Sequence, residues 1–355
     1  MGRSRQVLAA VALLTVLTGC DSRKAAVPAG PAAASTVAPS ACASSPLPLP
    51  PGANGLDIRA VDPAGRLVVA VPNHNAEEMG TMLWTDGGQP QLLTAAKDVT
   101  VAGVNASGVI AGTRRTAGVS GQQAVVIRDG KVVALPTPGT AAFTSATGIN
   151  ARGDVVGTAG LKAGGERAVL WPAGAPTATL LTVGTRSTKA VGITDDGVVV
   201  GNAGDLPHGF RWAADGAETA LAVPAGYLKA GARAVSGGWV LGWAEAEGVE
   251  QDGKLVDDPA HPSRGVRWNL HTGAVEALDR MVNPMAVGAS GVTAGAIDGT
   301  GRPAVWRDGV PFVLPMPMPD PAPSVIDWVG PDGHTLIGTV RHDDLGAQLA
   351  VWRDC

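Results

Sequence analysis

Ten residues, GINARGDVVG at Gly148–Gly157, recur in altered form along the chain. The copies GVNASGVIAG at 103–112 and GITDDGVVVG at 192–201 keep a Gly-led start, a turn containing Gly, and a second apolar run that closes with Gly. Asn or Asp with a nearby Gly supplies the backbone that tight hairpin turns require. Each copy therefore predicts two short strands joined by a turn, and we expect the closing Gly to let neighbouring sheets approach closely.

Seven such segments occur, and each is followed by a third apolar strand at intervals of 38 to 56 residues. This strand ends in an aromatic or apolar residue, namely Trp84, Ile127, Trp171, Trp212, Trp268, Trp306 and Trp352. A Gly-containing turn and a further apolar strand usually come next, and no stretch has helical periodicity. Each unit therefore predicts a four-stranded antiparallel sheet.

Repeats of about 45 residues decide the architecture, because one small sheet cannot bury its apolar faces alone. Seven sheets arranged radially pack face against face and leave only short edges. The sequence predicts an all-β protein, a seven-bladed β-propeller of four-stranded antiparallel blades. An open β-solenoid is the alternative, although its repeats are normally shorter and its ends carry distinctive caps.

The repeats resemble the HAF repeats of secreted bacterial proteins, in which a G-I-N-x-x-G-x-V-x-G hairpin precedes a His-Ala-Phe-x-Trp-like strand. The hairpin is nearly complete at Gly148–Gly157, and the second half is present at His208–Trp212. Only this copy keeps the His and Phe. The resemblance covers residues 47 to 355 approximately and implies an extracytoplasmic, propeller-like fold of mostly unassigned function.

The N-terminus carries Arg3 and Arg5 ahead of an apolar run that is too short to span a bilayer. The run ends in Leu-Thr-Gly-Cys, which resembles the lipobox of bacterial lipoproteins and implies that Cys20 is lipidated; a plain secretory signal is the alternative. We expect residues 1–19 to be a signal peptide and residues 20–45, rich in Ala, Pro and Ser, to be a disordered tether. Residues 46–355 would form the propeller.

The two ends of the repeat region predict how the ring closes. The segment from Pro46 resembles the part of a unit that follows a Trp strand, whereas the chain stops at Cys355 without a fourth strand. The N-terminal strand should therefore complete the last blade. With Cys20 lipidated, Cys42 and Cys355 remain, and in an oxidising compartment we expect them to form a disulfide; two unpaired thiols are the alternative.

Charge and motifs restrict the function. The formal charge of −4, or −6 without Arg3 and Arg5, opposes binding to nucleic acid. We find no nucleophile elbow, zinc pair or calcium loop, and we expect no metal site, no catalytic residue and no cofactor. The predicted partners are a membrane, through the lipid anchor, and an unknown protein, peptide or glycan bound by a monomer.

The loops between second and third strands vary from unit to unit, and in a four-stranded blade they share one face, here called the loop face. Variable loops on a rigid frame are where binding groups are expected. The candidate binding residues are His74, Glu77, Glu78, Asp205, His208, Glu247, Glu250, Asp252, Asp257, Asp258, His261, His342, Asp343 and Asp344. Several belong to a long acidic insertion in the fifth unit, which could equally be a solvated loop without function.

These observations favour a membrane-anchored extracytoplasmic lipoprotein that binds through one propeller face. The alternative is an extracellular hydrolase or lyase with carboxylates at the channel mouth, and a third possibility is a structural envelope lipoprotein. Three Trp lie outside the repeat position, Trp239, Trp243 and Trp328. They predict either a sugar-stacking platform or packing between blades.

Overall fold

In the part of the chain that a computed structural model describes, thirty β-strands and one 3₁₀ turn, Thr94–Ala96, make up the regular structure. The structure describes residues 41–53, 55–72, 80–115, 121–204, 208–251, 254–256, 258, 260–317, 322–342 and 346–355. Cys20, the predicted signal peptide and most of the predicted tether lie outside these residues. No helix among the described residues is long and apolar enough to cross a membrane.

Seven four-stranded antiparallel sheets form the predicted blades. Blade I contains β2 (Leu56–Val61), β3 (Leu67–Pro72), β4 (Met82–Thr85) and β5 (Gln91–Leu92). Blade II contains β6 (Val99–Val104), β7 (Ile110–Arg115), β8 (Gln122–Arg128) and β9 (Lys131–Ala134). Blade III contains β10 (Ala141–Ile149), β11 (Val155–Leu161), β12 (Glu166–Trp171) and β13 (Thr179–Leu181). Blade IV contains β14 (Thr188–Ile193), β15 (Val199–Ala203), β16 (His208–Trp212) and β17 (Glu218–Ala220).

Blade V carries an inserted hairpin between its second and third strands. Its sheet contains β18 (Lys229–Ser236), β19 (Trp239–Glu245), β22 (Arg264–Asn269) and β23 (Val275–Ala277), and the inserted hairpin contains β20 (Val249–Gln251) and β21 (Lys254–Val256). Blade VI contains β24 (Met281–Val287), β25 (Thr293–Ile297), β26 (Pro303–Arg307) and β27 (Val310–Val313). Blade VII contains β28 (Ala322–Val329), β29 (Leu336–His342), β30 (Gly346–Arg353) and β1 (Ala43–Pro46). The predicted seven-bladed propeller is confirmed.

The N-terminal strand closes the ring as predicted. β1 pairs antiparallel with β30, from Ala43 opposite Arg353 to Pro46 opposite Ala350. A disulfide joins Cys42 to Cys355 across 313 residues, with the two Cα atoms 4.4 Å apart, so the predicted pairing is confirmed. Because pairing begins directly after Cys42, the last blade starts at Ala43, three residues before the predicted start of the propeller.

The repeated Trp residues join each blade to the one before it. All six are almost completely buried, and each indole N–H donates to a backbone carbonyl at 2.6 to 3.0 Å. The acceptors for Trp84, Trp171, Trp212, Trp268, Trp306 and Trp352 are Pro48, Pro136, Thr182, Ala222, Asp279 and Pro315, respectively. Every acceptor lies one or two residues after the outermost strand of the preceding blade. The side chain therefore fixes the connection between blades as well as filling the core.

The Asn of the repeated hairpin serves two blades at once. The Asn150 Oδ1 accepts the Asp154 N–H at 2.9 Å, which stabilises the turn in its own blade. Its Nδ2 donates to the Thr194 carbonyl of blade IV at 3.1 Å, and Asn105 donates to the Asn150 carbonyl at 3.2 Å. Gly153 has φ +88, the left-handed conformation that the turn requires. The hairpin thus turns the chain in every copy, and at Asn105 and Asn150 it also joins neighbouring blades.

The Gly that closes the hairpin has a different role from the predicted one. A Cβ on Gly157 would lie 1.8 Å from the carbonyl oxygen of Ser145 in the same blade, not against the next blade. Gly112, Gly201, Gly242, Gly295 and Gly338 face carbonyls in the same way, with the corresponding distances between 1.9 and 2.7 Å. The prediction of a close approach between sheets was therefore wrong for this residue, because the first strand of the blade bends its carbonyl toward the second.

The three Trp outside the repeat position do not share one surface. Trp239 of blade V packs against Gly291 of blade VI, and Trp328 of blade VII packs against Gly65 of blade I. Trp243 lies over Gly231 on the neighbouring strand, with the Lys229 ammonium 5.7 Å from its ring. Packing within and between blades, one of the two predicted roles, accounts for all three.

Candidate functional site

A β-bulge interrupts the first strand of every blade at the same position. In blade I the pairing passes from Ile58 opposite Ala70 to Ala60 opposite Val69, which leaves Arg59 as the extra residue. The same irregularity is present in the other six blades. The seven extra residues are Arg59, Ala102, Thr147, Val191, Arg233, Met285 and Asp327. We call them the bulge ring.

The bulge ring lines a channel at the centre of the propeller. All seven residues contact one cavity of about 510 Å³, which the first strands of all seven blades enclose. The cavity extends to the turns between first and second strands, including Pro63, Gly237, Ala289 and Pro331. It therefore reaches the face opposite the loop face, here called the hairpin face. A bulge redirects its side chain out of the regular alternation of the strand. In each blade the bulge residue and the two residues after it all line the cavity.

Neighbouring positions in the first strand are nearly uniform from blade to blade. The residues two positions after the bulge are all β-branched, namely Val61, Val104, Ile149, Ile193, Val235, Val287 and Val329. The residues one position after the bulge are Gly or Ala in six blades and Trp328 in blade VII. The bulge ring instead contains two cations, one acid, one hydroxyl and three apolar side chains. The positions directly beside the bulge are thus apolar or Gly in every blade, whereas the bulge position itself varies in chemistry.

The two arginines of the bulge ring come from blades I and V. Arg59 and Arg233 are exposed to the channel, and neither forms a hydrogen bond or ion pair within the described part of the chain. Asp195 of blade IV also lies at the cavity, but its carboxylate accepts the Ala151 N–H at 2.9 Å. The arginines therefore leave their five guanidinium N–H donors free for a molecule in the channel.

Asp327 is the acidic member of the bulge ring. Its carboxylate has surface open to the channel, yet the surrounding blades enclose it, and this loss of hydration raises its pKa to about 7. The Thr339 hydroxyl donates to its Oδ2 at 3.2 Å, which opposes the rise. Negative charge on Asp57 adds to the rise, whereas Arg341 opposes it. Asp327 thus changes charge near neutral pH.

Asp57 and Arg341 form an ion pair across the junction where the ring closes. The Arg341 Nη2 lies 3.0 Å from the Asp57 Oδ1 and joins blade VII to blade I. A carboxylate bonded in this way has less freedom to act with Asp327 as a second catalytic acid or base. Among the described residues, no cluster of three His, Cys, Asp or Glu side chains is placed to hold a metal ion.

The residues predicted for the loop face are only partly described. Those outside the described residues are His74, Glu77, Glu78, Asp205, Asp252, Asp257, Asp343 and Asp344. Glu250 and His342 lie in β20 and β29. His208 is half-buried at the start of β16, and Glu247 is exposed after β19. Neither contacts the channel cavity.

The long insertion of blade V is anchored to the segment that precedes the blade. The His261 Nδ1 lies 3.0 Å from the Asp258 Oδ2, and the Tyr227 hydroxyl donates to the Pro262 carbonyl at 3.2 Å. The Tyr227 and His261 rings meet edge to face. Hydrogen bonds from the Ala260 N–H and then from His261 lower the pKa of Asp258. The His-carboxylate pair therefore belongs to the internal structure of the insertion and does not converge with the bulge ring.

A second cavity lies on the hairpin face at the junction of blades VII and I. It measures about 540 Å³ and is lined by Trp328, Arg66, Asp86, Asp332 and Arg353, among others. Arg66, Asp86 and Asp332 lie in or beside turns and Arg353 ends β30, and all four belong to blades VII and I. The channel, in contrast, is lined by all seven blades, and its varied side chains are those of the bulge ring. We therefore take the bulge ring as the candidate site.

Comparison with known proteins supports the fold and assigns no family. No protein family and no curated protein matches the sequence. Among solved structures, virginiamycin B lyase from Staphylococcus aureus matches with a TM-score of 0.54 and 11% identity, over 88% of this chain and 98% of that chain. A streptogramin B lyase matches with a TM-score of 0.53 and 12% identity, over 88% and 97%. At these identities the likeness shows a shared β-propeller fold.

Proposed function

We propose that this chain is an exported, lipid-anchored protein that binds a ligand at the axis of its propeller. The observation that carries the proposal is the bulge ring: seven equivalent positions face one channel and differ in chemistry, while the positions beside them stay uniform. Uniform positions serve the fold that all blades share. A varied position on a rigid frame is where ligand contacts are expected.

The ionisable groups near Asp327 favour binding over catalysis. A catalytic site usually needs two groups that act together, such as a nucleophile and a base or two carboxylates. Within the described residues no histidine contacts the channel cavity, and Asp57 is held by Arg341. Among the residues described, Asp327 thus has no second acid or base beside it that is free to act. The two unpaired arginines, in contrast, are ready to hold a ligand without changing it.

A hydrolase or lyase remains the second candidate because of the same carboxyl group. A carboxylate whose pKa is about 7 can accept a proton near neutral pH, as a general base must. The similarity to lyases concerns the fold alone and adds no argument for this chemistry. The two candidates differ in a measurable way, because an enzyme consumes its ligand and a binding protein returns it.

Native mass spectrometry distinguishes these candidates. We expect the full chain, incubated with a metabolite extract, to retain a compound whose mass is unchanged after release. The double variant Arg59→Ala/Arg233→Ala should lose that compound, whereas Arg302→Ala, an exposed residue of blade VI, should keep it. Conversion of the compound by the wild type, abolished in Asp327→Asn, would instead support the hydrolase or lyase.

The lipid anchor rests on the N-terminal sequence, and the disulfide supports export because such bonds persist in oxidising compartments. We expect Cys20→Ala to abolish metabolic labelling with a fatty acid and to leave the chain unprocessed or released from the membrane. One acyl-bearing cysteine is the predicted attachment, and the tether itself has little membrane affinity. Full processing and membrane retention of Cys20→Ala, with Cys42→Ala as the labelling control, would contradict the anchor.

A further inference from the structure

We propose that the axial channel binds a small oxyanion through Arg59 and Arg233, and that Asp327 strengthens this binding as the pH falls. The inference deepens the proposed function and rests on it, because it specifies the ligand class and its dependence on protonation. Both parts follow from the bulge ring and the groups around it.

The arginines determine the ligand class. A guanidinium group has a planar fork of N–H donors that matches a carboxylate or a phosphate, often through two parallel hydrogen bonds. Inside a channel enclosed by protein, such charge-assisted bonds are stronger than on an open surface, because less water competes. Since Arg59 and Arg233 have no partners in the described part of the chain, an anion in the channel would supply them. A neutral ligand would leave both charges uncompensated.

The rest of the bulge ring limits the size and polarity of the ligand. Ala102, Val191 and Met285 present apolar surface, and the Thr147 hydroxyl donates to the Val156 carbonyl at 3.4 Å. A cavity of about 510 Å³ admits a small molecule and excludes a folded protein segment. The lining therefore fits a compact anion with a short apolar body, such as a dicarboxylate, or a phosphate-bearing metabolite.

Protonation of Asp327 changes the net charge that such an anion meets. The charged groups around it in the described residues are Asp57 and Arg341 at the blade junction and Arg59, Arg233 and Asp195 along the channel. When Asp327 is ionised it repels a bound anion, and when it is protonated it can donate a hydrogen bond to one. Because the pKa of Asp327 is about 7, we expect full affinity below neutral pH and weaker binding above it.

Anion binding should in turn raise the pKa of Asp327 further, because a second negative charge favours the neutral carboxyl. Binding would then be accompanied by proton uptake near neutral pH. This reciprocity follows from thermodynamic linkage between the two ligands, the proton and the anion. An adventitious surface contact between an anion and an arginine would not produce this proton uptake.

Isothermal titration calorimetry on the full chain tests the inference, with the dicarboxylate glutarate and inorganic phosphate as separate probes. We expect at least one probe to bind, and the affinity of Asp327→Asn relative to the wild type to be about tenfold higher at about pH 8 than at about pH 6. Arg59→Gln and Arg233→Gln should each weaken binding about tenfold or more, whereas Arg302→Gln should leave it unchanged. The comparison of Asp327→Asn with the wild type is made at the same pH because phosphate also loses a proton near neutral pH. At about pH 6 Asp327→Asn should bind each probe as the wild type does.

The two probes distinguish a carboxylate from a phosphate ligand. Binding of both probes that is independent of pH and of the two arginines would overturn the inference. Retention of a neutral metabolite by the wild type, lost in the double arginine variant, would overturn the anion assignment while leaving ligand binding at the axis intact. Absence of any retained metabolite would remove the proposed function itself, so the two failures are distinguishable.

Discussion

Replacing Cys42 and Cys355 together by serine should lower the free energy of unfolding by about 5 kcal/mol. The bond closes a loop of 313 residues, and the chain-entropy model assigns large effects to loops of this length. β1 is only four residues long and pairs with β30 alone, so without the bond little holds it in blade VII. Denaturant titration followed by tryptophan fluorescence measures the loss.

The matched control is the wild-type chain unfolded in the presence of a reductant. It should reach the midpoint of the double serine variant, and the variant itself should not respond to reductant. Coincident unfolding curves for oxidised wild type and variant would show that strand pairing closes the ring without help from the bond. Cys355 is buried in the core of blade VII and Cys42 packs against the same core, so each single serine variant also tests the effect of a hydroxyl there.

The sequence alone predicted the architecture because the same pattern of strands and turns is present in seven copies. Each hairpin turn and each Trp strand marks the same place in a blade, so one ambiguous copy, such as Ile127 in blade II, is corrected by six others. The out-of-phase ends and the two remaining cysteines then predicted the closing strand and its disulfide. These features are local patterns or simple counts, which a linear sequence displays directly.

The candidate site was not predicted, although a signal for it is present. Arg59 and Thr147 stand directly before the small residue that opens the repeated hairpin, and Asp327 has the same position before Trp328. The copies differ in chemistry at this position. The alternation of inward and outward residues along a strand does not reveal that the residue at this position is the additional residue of a β-bulge. The bulge depends on pairing with the second strand, and the meeting of seven such residues depends on the closed ring. From the sequence, chemical differences between the repeats were therefore predicted only for the loops between second and third strands.

Gly157→Ala should be strongly destabilising, because in blade III the backbone of the first strand leaves no room for a Cβ at this position. The added carbon would lie 1.8 Å from the Ser145 oxygen and 2.9 Å from the Ala146 Cα, both backbone atoms. β11 is held between β10 and β12, so it cannot move aside without breaking one of two ladders. We expect a loss of about 3 kcal/mol in the free energy of unfolding, at the upper end for overpacking.

Gly139→Ala is the matched control, because no atom lies within 4 Å of the added carbon and the residue has no positive φ. We expect that variant to be neutral or stabilised by up to about 1 kcal/mol, through lower entropy of the unfolded chain. Blade I provides a natural comparison, since Ala70 occupies the position of Gly157 and pairs with Ile58 just before its bulge. If urea denaturation gave equal midpoints for Gly157→Ala and Gly139→Ala, blade III would accommodate alanine as blade I does. The bulge would then depend on packing between blades at the channel. It would not depend on the absence of a side chain at the paired position of the second strand.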